Sequence, residues 1–74
     1  MRFKLKDPQK FLIYIGYLGQ TQRKFAANAG VSHSYLSQLI NKKRSVSPVV
    51  AAKISKAANK QIKDIFLPDM VANE

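Results

Sequence analysis

Apolar residues recur at helical spacing along most of this 74-residue chain, and each periodic run is preceded by a residue suited to start a helix. Phe11, Tyr14, Ile15 and Leu18 share one side of a helical wheel. Asp7-Pro8 before them supplies a cap and a proline at the first helical position, and Gly19 closes the run. The pattern predicts this first helix to about Leu18. A second is predicted over Gln22–Asn28, opened by Thr21, and a third over His33–Asn41, opened by Ser32, with Leu36, Leu39 and Ile40 facing inward. Ser47-Pro48 repeats the start signal for a fourth, Pro48–Ala58, with an inner stripe of Val50, Ile54, Ala57 and Ala58. Asn59 suits a left-handed C-cap. Ile62, Ile65 and Phe66 suggest a last short helix ended by Pro68. Residues 1–6 alternate apolar and basic, as an extended arm or a frayed end would; no strand of useful length is expected anywhere.

These elements predict an all-α fold, a compact bundle of about five short helices. The expected organisation is a basic N-terminal arm over residues 1–7, a folded domain over 8–66 and a short tail over 67–74. Phe11, Ile15, Phe25, Ala26, Ala29, Val31, Leu36, Leu39, Val50, Ile54, Ile62 and Phe66 are the candidate core. The second and third helices, joined by a bend where Ala26 and Gly30 meet, read as a helix-turn-helix, whose second helix is built to enter the DNA major groove.

Charge sharpens this picture. Thirteen Lys and Arg face four acids, for a net charge of +9. Residues 1–44 hold nine of those basic residues and a single acid, Asp7, so the positive field belongs to the half that contains the motif. Such a field attracts polyanions. An anionic membrane surface fits less well, because no basic amphipathic helix stands out, and Phe11–Leu18 is too short to span a bilayer. With no cysteine and one histidine, neither a disulfide nor a metal constellation is available. The cysteine-free composition suits a reducing cytoplasm. No paired carboxylates at helical spacing, no nucleophile with its base and no glycine-rich phosphate loop support an enzyme, a cofactor or a small-molecule substrate.

The stretch Thr21-Gln22-x-x-Phe25-Ala26-x-x-Ala29-Gly30-Val31-Ser32-x-x-Tyr35-Leu36-Ser37-x-Leu39-x-Asn41 resembles the lambda-repressor/Cro-like helix-turn-helix family, and Asn59–Phe66 resembles that family's fifth helix. The resemblance covers roughly residues 8–66. It implies that His33, Ser34, Ser37 and Gln38 face the groove, with Gln38 able to pair bidentately with adenine. Backbone contacts are implied for Gln22, Arg23, Ser32, Asn41, Lys42, Lys43 and Arg44. Three features depart from the family's habit. Arg23 and Lys24 stand where acids are frequent, Lys42 stands where glycine is common, and the first helix is unusually apolar.

The resemblance implies a sequence-specific regulator that binds a double-stranded-DNA operator, a phage or mobile-element repressor of the Cro kind, dimeric on its operator and working in the cytoplasm of a bacterial host. Leu12, Ile13 and Tyr17 fall off the core-facing side of the first helix and mark a possible protein interface. They support a competing reading, in which the same fold serves as a protein-binding modulator or antirepressor that docks on another phage repressor. Lys53, Lys56, Lys60 and Lys63 read as a solvated face.

Overall fold

The computed structural model describes residues 1–70. Residues 71–74, the end of the expected tail, lie outside the described residues. Seven elements follow one another: β1 (Phe3–Leu5), α1 (Pro8–Tyr17), α2 (Gln22–Ala29), α3 (His33–Ile40), α4 (Pro48–Ala57), α5 (Ile62–Ile65) and β2 (Phe66–Pro68). The fold is all-α with a minor two-stranded sheet.

Local chemistry explains where α1 to α4 begin. The side chains of Asp7, Thr21, Ser32 and Ser47 each accept a hydrogen bond from the backbone N–H three residues on, at 2.9–3.3 Å. Each satisfies a donor that the first turn would otherwise leave open. The ends are equally regular. After each of these helices one residue adopts a left-handed backbone: Gly19, Gly30, Lys42 and Asn59, with φ between 58° and 77°. The N–H that follows reaches back to the helix, as in Gln20 to the Ile15 carbonyl, Val31 to Ala26, Lys43 to Gln38 and Lys60 to Ser55. This is the Schellman closure. Glycine adopts it without steric cost and asparagine tolerates it; Lys42 adopts it at a cost.

One core joins all the elements. Phe11, Phe25, Leu36, Leu39, Ile54 and Phe66 are buried, with the Phe11 and Phe25 rings edge to face at 5.5 Å. Val31, Val50 and Ile62, expected inside, pack against the core only partly buried, as do Ile40 and Ala57. On α4 the innermost residues include Ala51 and Ser55, because the face in contact with its neighbours is rotated from the expected stripe. Leu5, Val46 and Ile65 complete the core. The first two lie outside every helix, where periodicity gives no signal.

The strands correct the expectation that none would form. β1 pairs antiparallel with β2, with Phe3 opposite Pro68, Lys4 opposite Leu67 and Leu5 opposite Phe66. Its other edge bridges Val46 through two backbone hydrogen bonds with Phe3 at 2.8 and 2.9 Å. The N-terminal residues thus lie between the C-terminal strand and the loop after α3, with Leu5 only 2% exposed. Three-residue strands carry too few alternating positions to register as a pattern, and their pairing is decided by residues sixty positions away.

Among the described residues no helix is long and apolar enough to cross a membrane. The strain at Lys42 gives a direct test of the closure after α3. Lys42→Gly should raise stability by about 1 kcal/mol in urea unfolding, since glycine removes the left-handed penalty. An unchanged or lowered midpoint would show that this backbone is not strained.

Candidate nucleic-acid interface

The geometry of the site starts from the two leucines that hold α3. Leu36 and Leu39 are 0% and 1% exposed, and they pin one side of the helix against the core. The opposite side is left to His33, Ser34 and Gln38, all exposed, with Ser37 half-buried beside them. Ser34 and Gln38 are four residues apart and share a face. Ser32 caps the helix through Tyr35 N–H at 2.9 Å, so His33 and Ser34 fall in its first turn. No acidic residue occupies the first turn of α2 or α3, and Arg23 and Lys24 stand at the start of α2 against its dipole. Gln22 is half-buried there and Arg23 exposed.

Two side-chain pairs order the far end of the helix. Asn41 donates to the Ser37 hydroxyl at 3.4 Å. Arg44 donates from Nε to the Gln38 side-chain amide oxygen Oε1 at 2.8 Å, and its guanidinium lies 4.4 Å from the Tyr35 ring centroid. These contacts gather Tyr35, Ser37, Gln38, Asn41 and Arg44. Among the described residues they do not extend to His33, Ser34, Gln22 or Arg23.

The loop after α3 lines a cleft of about 310 Å³ with Lys42, Lys43 and Arg44 on one side and Lys4 of β1 on another; Asp69 is the single acid in its wall. Lys4 was absent from the sequence-derived site. The apolar–basic alternation of residues 1–6 is the one sequence signal for it, and only the pairing of β1 shows which loop it faces. Arg2 acts on the same loop as a structural tie. Its guanidinium donates to the Ser45 carbonyl at 2.8 Å and to the Ser45 hydroxyl at 3.2 Å. The basic loop is therefore fixed at both ends, by the closure of α3 and by β1.

The first helix divides differently from expectation. Leu12 is half-buried and packs against the core. Ile13 and Tyr17 stay 52% and 85% exposed. Tyr14 is covered in part by Lys60, whose ammonium lies 4.6 Å from the ring centroid.

No curated protein and no solved structure matches this chain. A family model described as helix-turn-helix matches residues 18–65, a span that runs from the end of α1 to the end of α5 and includes the whole of α2 and α3. With that match over well more than half its length, and with capped α2 and α3 meeting at a left-handed glycine, the chain belongs to the helix-turn-helix family of the lambda-repressor/Cro type.

Proposed function

We propose that this protein is a sequence-specific transcriptional regulator that occupies a double-stranded operator by placing α3 in the major groove. Family membership carries DNA binding of the Cro/lambda-repressor type. The observation that supports α3 as the reader is its division into a buried Leu36–Leu39 side and an exposed polar side. His33, Ser34, Ser37 and Gln38 contact base edges in this reading. Gln22, Arg23, Ser32, Asn41, Lys42, Lys43 and Arg44 bind phosphates, joined by Lys4 across the cleft. A phosphate at the start of α2 would offset the unfavourable charge of Arg23 and Lys24 against the helix dipole. Repression follows by occupancy where the operator overlaps a promoter, and the setting we assign is a phage or mobile element in a bacterial cytoplasm.

A single recognition helix reads few base pairs, so specificity calls for two half-sites about one helical turn apart and a homodimer on DNA. The exposed edge of β2 is poorly suited to join two copies. Leu67 faces Lys4 in the ladder, the Phe66 N–H is already bonded to the Ile62 carbonyl, and Pro68 has no N–H to give. We assign the contact to Ile13 and Tyr17 of α1; the same exposed pair is what a partner repressor would use in the modulator reading.

Three outcomes test this function. First, binding to mixed-sequence duplex should fall steeply with salt, by about 0.9 log units of affinity per log unit of salt for each phosphate neutralised, and Lys43→Ala should lower that slope by about one. Affinity indifferent to salt would remove DNA from the account. Second, Gln38→Ala should cost about 1–3 kcal/mol on the preferred operator while leaving non-specific affinity and thermal stability nearly unchanged. An unaltered sequence preference would show that this face does not read bases. Third, footprinting should protect two related half-sites; one protomer on a single, non-repeated half-site would exclude the dimer.

A further inference from the structure

The contact between Gln38 and Arg44 changes what Gln38 can recognise. A free glutamine amide offers one acceptor and one donor side by side, which suits the N6–H and N7 of adenine. Here the amide oxygen already accepts a charge-assisted bond from Arg44 Nε at 2.8 Å. What the pair still presents outward is the Gln38 NH2 and the guanidinium Nη groups, all of them donors. An adenine N6–H would have to share the occupied oxygen and would face further donors. Guanine presents two acceptors, N7 and O6, on the same edge.

The pairing is supported from both residues' surroundings. Lys42 in the left-handed conformation and the bond from Lys43 N–H to the Gln38 carbonyl turn the chain back along α3, which returns Arg44 to the level of Gln38. The Tyr35 ring, one turn before Gln38 on the helix, lies under the guanidinium at 4.4 Å. Beyond Arg44, Ser45 is held by Arg2 and Val46 by Phe3, so the residue cannot swing away with a loose loop.

We propose that Gln38 and Arg44 read DNA as one donor-only unit that selects guanine, and that the bond from Arg44 to the Gln38 amide oxygen sets this choice. The inference rests on the proposed function above, and it moves Arg44 from a phosphate contact to a determinant of specificity.

The experiment is selection from a randomised duplex at low salt, where sequence-independent contacts keep variants on DNA. The position read by Gln38 is the one whose preference disappears in Gln38→Ala. At that position the unaltered protein should select guanine. Arg44→Ala should free the amide oxygen and shift the preference toward adenine, a change of roughly 5- to 150-fold in the guanine-to-adenine ratio. Arg44→Met, which keeps an unbranched apolar stem out to the level of Nε but has no donors, should shift it the same way. Selection of adenine by the unaltered protein would overturn the proposal. So would an unchanged preference in both Arg44 variants with affinity lowered on every sequence alike, the mark of a phosphate contact. Failure of the unaltered protein to bind any duplex in a salt-dependent manner is a separate result, and it would remove the functional reading and this inference together.

Discussion

The rotation of α3 about its own axis is the constraint on which the rest depends, and the burial of Leu36 and Leu39 sets it. Each removes a large apolar side chain from water, worth about 1.5–3 kcal/mol, and a turned helix would forfeit both. Once those two face inward, the 3.6-residue period leaves Ser34 and Gln38 outward without any further instruction. The cap at Ser32 and the left-handed closure at Lys42 fix where the helix starts and stops. Length, rotation and axial position then place every polar side chain of the exposed face, and the proposed function rests on which residues occupy it.

A second constraint acts on the loop after the helix. β1 pairs with β2 on one edge and with Val46 on the other, and Arg2 adds two bonds to Ser45. The chain's first residues thereby hold both the last strand and the basic loop. The arrangement explains how a domain of this size keeps Lys42, Lys43 and Arg44 in place, although all three are exposed. It also puts Lys4 on the wall of the same cleft.

Features that one local rule governs were readable in the sequence. Asp7, Thr21, Ser32 and Ser47 act within three residues of themselves, so the helix starts were legible; Gly19, Gly30 and Asn59 announce the ends by the same logic. The left-handed turn at Lys42 was legible only through the resemblance, because a lysine gives no hint of it. The strands were not legible, since Phe3, Val46 and Pro68 become neighbours only when the bundle closes. The outward face of α3 followed from its apolar spacing. That Arg44 would return to bond Gln38 did not, because the loop's path depends on the closure at Lys42 and on β1. Leu12 shows the converse failure: a helical wheel excluded it from the core-facing side, yet its neighbours cover it in part.

The central claim is that the outer side of α3, with the loop behind it, is the surface that meets DNA. The most direct measurement is a titration of the isotopically labelled protein with a short mixed-sequence duplex, followed by the backbone amide signals. The account predicts that the largest shifts fall on residues 33–44 and on Lys4, with smaller ones at Ile13 and Tyr17 where two protomers meet, while α4 and α5 move little. Shifts centred on Ile13 and Tyr17 with α3 unmoved, or no shifts at any residue, would contradict it.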